Sequence, residues 1–183
     1  MSEHRVANGA PILVIDLQTG MFDGVGMPRL HDADALVGRA RAVIDWARRT
    51  NRNVAFVRHD GEAGDMLEPG APGWPVLPAL GRADDEPIFS KSVGDAFSNA
   101  GLGEWVAAQG AGEVVLLGAQ TDECIAATVA GAAESGLRVT VVSDAHSTIG
   151  WGGESAEQKI ARHNDAFAAA GVNLMTTEAL TAW

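Results

Sequence analysis

The stretch EVVLLGAQTDECIAATVAGAAES (Glu113–Ser135) decides the fold. EVVLL is an unbroken apolar run of strand length, as expected for a strand covered on both faces. IAATVAGAA is small and apolar throughout and reads as a buried helix. Between them lies GAQTDEC, which carries the only cysteine of the chain, Cys124. A strand that turns straight into a helix is the repeating step of a parallel sheet.

The same step recurs on either side. APILVIDL (Ala10–Leu17) is an apolar run that ends in an aspartate. DADALVGRARAVIDWARRT places Leu36, Val37, Ala40, Val43, Ile44 and Ala47 at helical spacing, with Asp32 or Asp34 as a cap. NVAFVRH and PIFSK read as strands. The 27 residues DGEAGDMLEPGAPGWPVLPALGRADDE, rich in Gly and Pro, read as a long loop with one short helix near Val76–Leu80. GLGEWVAAQG is a helix closed by Gly110. RVTVVSD is a strand, GESAEQKIARHNDAFAAA a helix ended by Gly171, and VNLMT a last strand. The pattern predicts one α/β domain over residues 1–183, three layers deep, with a six-stranded, mostly parallel sheet between helices. Ligands in such sheets sit at the carboxyl ends of the strands. That points to Asp16, His59, Lys91, the Gly118–Cys124 turn and Asp144–Ser147.

Bulk properties exclude several classes. A formal charge of −11 disfavours nucleic acid and anionic membrane surfaces as partners. One cysteine makes no internal disulfide and suits a reducing, cytoplasmic location. The opening residues lack a signal-peptide pattern, and no apolar run is long enough to cross a bilayer. The five histidines form no HExxH-type pattern, and there is neither a P-loop nor a dinucleotide fingerprint. No metal and no cofactor are expected.

Cys124 supports two readings. Free cysteine is often a small core residue, and Ile125, Ala126 and Ala127 beside it fit that role. With Thr121 or Asp122 as N-cap, however, it stands in the first turn of a helix, where unpaired N–H groups and the helix dipole favour a thiolate. Asp122 and Glu123 oppose a thiolate, so a cation is needed nearby. Lys91 alone would be a solvated lysine, and Asp16 alone a structural cap. Together with Cys124 they form an acid, a cation and a sulfur.

VIDLQTGMF (Val14–Phe22), FSKSVGDAF (Phe89–Phe97) and LLGAQTDECIAATVAGAAESGLRVTVVSDA (Leu116–Ala145) together resemble the isochorismatase-like cysteine hydrolases, a superfamily that includes nicotinamidase and N-carbamoylsarcosine amidohydrolase. The resemblance runs from about Pro11 to Met175. It implies a catalytic triad of Asp16, Lys91 and Cys124, and a non-proline cis peptide at Ala119–Gln120. It also implies an oxyanion hole from the backbone N–H groups of Gln120 and Cys124. Gln18, Phe22, His59 and Trp74 are the expected substrate contacts, with orienting a loop the other reading of Gln18 and bonding a loop the other reading of His59. The loop RHDGEAGDMLEPG lacks the Asp/His metal pattern of nicotinamidases. The cysteine itself favours C–N hydrolysis over the thiol-free vinyl-ether cleavage of true isochorismatases. The GDMLEPGAPGW loop is similar to that of streptothricin-hydrolase-like members, which open a cyclic amide. The implied activity is hydrolysis of a small amide, lactam or carbamoyl compound by a homodimer or homotetramer, with Ile125–Ala133 and exposed tryptophans as subunit contacts. The rival expectation is a catalytically silent oligomeric binding module with a structural cysteine.

Overall fold

The computed structural model describes residues 6–182. Six strands form a single sheet: β1 (Ile12–Ile15), β2 (Val54–His59), β3 (Ile88–Lys91), β4 (Glu113–Ala119), β5 (Arg138–Ser147) and β6 (Asn173–Met175). Their order is β3-β2-β1-β4-β5-β6, and every neighbouring pair is parallel. Five α-helices accompany them: α1 (Ala33–Arg49), α2 (Ala100–Gln109), α3 (Ala126–Glu134), α4 (Ala156–Ala169) and α5 (Thr177–Thr181).

The apolar runs are continuous because alternate residues feed two cores. Ile12 and Val14 of β1, Phe56 of β2 and Leu117 of β4 pack with Leu36, Val43 and Ile44 of α1 and Leu180 of α5. Leu13, Ile15, Val57 and Leu116 point the other way, onto Leu102 and Val106 of α2, Val129 and Ala132 of α3 and Phe167 of α4. Helices therefore cover both faces, as the sequence predicts.

Helix ends follow local chemistry. Ser155 and Gln158 form a reciprocal capping box at α4. Gly110, the residue beyond α2, is left-handed at φ 68°. Asp32 stands at the N-cap of α1 but makes no side-chain cap bond. The expected cap of the helix after β4 is also displaced. Thr121–Ile125 forms a π-type turn that begins after Gln120, and neither Thr121 nor Asp122 caps it. The short helix expected near Val76–Leu80 is a 3-10 turn at Pro78–Leu80.

The chain runs outward from β1 to β3, then returns to place β4 on the other side of β1. The switch point of the sheet is thus the cleft between β1 and β4, where ligands of doubly wound sheets bind. These two strands approach closely there. A methyl group at Gly118, whose φ is +133°, would overlap the Ile15 carbonyl oxygen. Gly118→Ala is expected to cost about 3 kcal/mol of stability, through both strain and overlap, read as a fall in the denaturant midpoint. A midpoint within error of the wild type would refute this account of the contact.

Candidate active site

Four strand ends deliver side chains to the switch point. Asp16 follows β1, His59 ends β2, Lys91 ends β3, and Cys124 sits in the π-type turn after β4. Asp16 adopts a left-handed backbone, φ 50°, which is uncommon for a non-glycine residue and recurs at functional positions. His59 and Lys91 face each other in the parallel register of β2 and β3. The peptide bond Ala119–Gln120 is cis, where the resemblance places it.

The Lys91 ammonium is the hub. Its Nζ lies 2.7 Å from Asp16 Oδ2, 3.2 Å from Cys124 Sγ, 3.3 Å from His59 Nδ1 and 3.1 Å from the Val93 carbonyl oxygen, to which it donates. The Lys91 and Asp16 side chains are fully buried. Asp16 Oδ1, equally buried, has no hydrogen-bond partner. Asp16, His59 and Cys124 hold one donor atom each within 4.8 Å of one another. Carboxylate, imidazole and thiolate together can bind a transition metal. Here the lysine nitrogen lies within bonding range of all three, so a cation already occupies the position that balances Asp16.

Burial dominates the electrostatics. It lifts the Asp16 carboxyl above the usual carboxylate range, against the pull of Lys91. The Cys124 thiol is pushed up to about 12, first by burial and then by the Asp16 carboxylate, which together outweigh Lys91. Lys91 does pull the thiol down, as expected, but burial and the Asp16 carboxylate win and the net shift is upward. The cation is shared with a carboxylate, and the sulfur feels both.

A cavity of about 570 Å³ opens above this cluster, lined by Asp16, His59, Gln120 and Cys124 together with residues of two loops. One contributes Gly26 and Met27. The other, the long loop after β2, contributes Gly64–Leu67. That loop is docked along the segment after β1. Thr19 N–H donates to Pro75 O, Gly20 N–H to Gly73 O, and Leu77 N–H to Leu17 O.

Residues 10–179 match the isochorismatase domain family. The chain belongs to the isochorismatase family. It is 31% identical over 137 residues to a streptothricin hydrolase of Streptomyces noursei, covering 75% of this chain and 49% of that protein. The chain thus spans about half the length of that relative. Among solved structures, an isochorismatase from Pseudomonas putida KT2440 superposes with a TM-score of 0.89 at 24% identity, covering 98% of this chain and 93% of the other. The N-carbamoylsarcosine amidase of Thermoplasma acidophilum superposes with a TM-score of 0.77 at 22% identity, covering 92% and 96%. At such identities the two structures speak for the fold.

In this isochorismatase-family chain, several expected substrate contacts lie elsewhere. His59 lines the cavity; Gln18, Phe22 and Trp74 do not. Phe22 is 8% exposed and packs in the core beside α1. Trp74 donates Nε1–H to Asp60 Oδ1 at 2.8 Å, and the Arg58 guanidinium stacks 3.5 Å above its ring. Gln18 is fully buried, and its amide is spent on backbone. Its Nε2 donates to His59 O and Trp74 O, and its Oε1 accepts from His59 N–H. Gln18 therefore ties the start of the long loop, at His59, to its middle, at Trp74, and fixes His59 beside Lys91.

A second network supports the turn. Thr121 Oγ1 lies 2.9 Å from His146 Nδ1, and His146 Nε2 3.0 Å from Asn164 Oδ1. Asp122 is held by Lys159 at 2.7 Å and by the Thr148 hydroxyl, which also donates to Gln120 Oε1. Asp122 is thereby neutralised away from the sulfur. Glu123 is exposed and lines the cavity.

The anticipated subunit contacts are partly used within the chain. Ile125, Thr128, Val129 and Ala132 are buried, and Trp151 is the exposed tryptophan among the described residues. No helix among the described residues is long and apolar enough to cross a membrane.

Proposed function

We propose that this protein is a cysteine hydrolase that cleaves the C–N bond of a small amide, lactam or carbamoyl compound through a thioester. One observation carries the reading: a fully buried lysine nitrogen bridges Asp16 and the Cys124 sulfur at the mouth of a helix-opening turn. The names of the relatives, a streptothricin hydrolase and an N-carbamoylsarcosine amidase, support the choice of a C–N bond.

With the thiol pushed up to about 12, the resting pair is a neutral thiol beside Asp16. The proton passes to Asp16 as sulfur attacks the carbonyl carbon, because a free thiolate is costly before the substrate arrives. The unpartnered Oδ1 is the oxygen available to take it. N–H groups of Gln120 and Cys124 hold the oxyanion, each worth about 3–4 kcal/mol in comparable sites. Collapse of the tetrahedral species breaks the C–N bond, and Asp16 returns its proton to the departing nitrogen. Water, deprotonated by Asp16, then attacks the thioester carbon. This releases the acid and regenerates the thiol.

The high thiol pKa also favours a second reading, a binding module with an inert cysteine. A panel of amides, lactams and carbamoyl compounds, assayed for ammonia or amine release, separates the two. Cys124→Ala is expected to lose at least about 10³-fold of the wild-type rate with an unchanged melting temperature. Intact mass after acid quench should show an acyl adduct on the wild type alone. Full activity in Cys124→Ala would reject the thioester route.

The pH profile gives a separate check. Turnover requires the Asp16 carboxylate, whose pKa is raised. The acid limb of kcat/KM is therefore expected above the ordinary aspartate value, and activity falls as pH drops through it. A limb at or below pH ~3.9 would contradict the assigned base.

A further inference from the structure

We infer that the cavity over Cys124 selects amides whose non-reacting end carries a positive charge beside a short apolar segment. The inference rests on the proposed hydrolase reading and names its substrate class.

The charges on the wall are one-sided. Asp16 is already matched by Lys91. The remaining carboxylates are Asp65, on the long loop, and Glu123, on the turn that holds the sulfur. Both are exposed. Among the described residues, Glu123 has no side-chain partner, and Asp65 uses Oδ1 to accept from Leu67 N–H, leaving Oδ2 free. Among the described residues, neither an arginine nor a lysine lines the cavity, and Lys91 lies buried beneath it. An anionic substrate would meet two carboxylates and no free cation. A cationic one would meet two acceptors from separate elements. Deeper in, the unpartnered and fully buried Asp16 Oδ1 marks where the scissile group is received.

The rest of the wall is soft and apolar: Met21, Met27, Met66 and Leu67. Methionine side chains adapt to irregular aliphatic groups. This leaves room for a few methylenes between the scissile carbonyl at Cys124 and an ammonium at the acidic rim. The overall charge of −11 acts in the same direction, steering cations toward the protein.

Matched probes test this. For primary amides the set is 6-aminohexanamide, hexanamide and adipic acid monoamide. For ureas it is 4-aminobutylurea, butylurea and 4-ureidobutyrate. For lactams it is 5-aminocaprolactam, caprolactam and caprolactam-5-carboxylate. Within the hydrolysed bond class, kcat/KM is expected to fall in the order cation, neutral, anion, with at least about tenfold between the extremes at low salt. The span should shrink at 0.5 M salt, as exposed charges are screened. Glu123→Gln or Asp65→Asn should reduce the cation-to-neutral ratio several-fold, and the double variant should bring it close to one. Calorimetric titration of the same probes into Cys124→Ala provides a readout independent of turnover. Selective binding of cations without hydrolysis would uphold the charge preference and remove the hydrolase reading. Hydrolysis with a flat or reversed charge order, or no binding of any probe at millimolar concentration, would overturn the preference.

Discussion

Asp16→Asn is expected to abolish hydrolysis and at the same time make Cys124 more reactive toward iodoacetamide near neutral pH. The two effects have opposite signs because Asp16 plays two roles. It receives the thiol proton during turnover, so its amide replacement removes the base, a loss of about 10³-fold or more. In the resting protein the same carboxylate raises the thiol pKa, while Lys91 lowers it. Removing the negative charge leaves Lys91 3.2 Å from the sulfur with no carboxylate to share. The thiolate fraction at pH 7–8 then rises, and alkylation, which follows thiolate, accelerates. A merely structural aspartate would not separate the two readouts in this way. Alkylation slower than in the wild type would show that the Asp16 carboxylate does not hold the proton on sulfur.

Lys91→Met is expected to destabilise the fold by about 3–5 kcal/mol, because it strands a fully buried carboxylate. The double variant Asp16→Asn/Lys91→Met should recover most of that loss, since no buried charge remains unpaired. The pH dependence follows from linkage. Asp16 already has a raised pKa in the folded state, and loss of its cation raises it further. Stability from a raised-pKa acid is fully present below the unfolded value of about 3.9 and is lost as pH rises through the folded value. Lys91→Met should therefore lie nearest the wild type in acid and fall behind toward neutrality. Chemical denaturation at pH 4 and pH 7.5 measures it. Equal deficits at both pH values would mean that the lysine acts through packing rather than charge.

The strands were legible because each is an apolar run fed into two cores, and the helices because α1 and α4 carry a polar face. Asp16, Lys91 and Cys124 each had an ordinary reading when taken singly, as cap, solvated lysine and core thiol, and only the family resemblance joined them. Other features lay beyond the sequence. An amide beside a strand end reads equally as a substrate ligand or a backbone clamp, and Gln18 is the clamp. An aromatic residue in a loop gives no direction for its ring, and Phe22 turns into the core. The methionine wall was missed because its members, Met21, Met27 and Met66, come from separate turns with no shared period. Glu123 was read only as a hindrance to the sulfur. Five-residue α5 is too short to show a period, although Thr176 caps it by accepting from Ala179 N–H.

Gln18 fastens the loop after β2 at His59 and Trp74, and thereby separates two kinds of inheritance. The reacting groups stand on the strand ends, while Gly64–Leu67, which line the cavity, lie between the loop's anchor points. Within that stretch Asp60 N–H donates to Lys91 O and Leu67 is buried in the core, so the exposed Glu62, Ala63 and Asp65 are the positions open to other side chains without disturbing the bond-breaking apparatus beneath. A library confined to those positions is thus the economical route to new specificities on this scaffold.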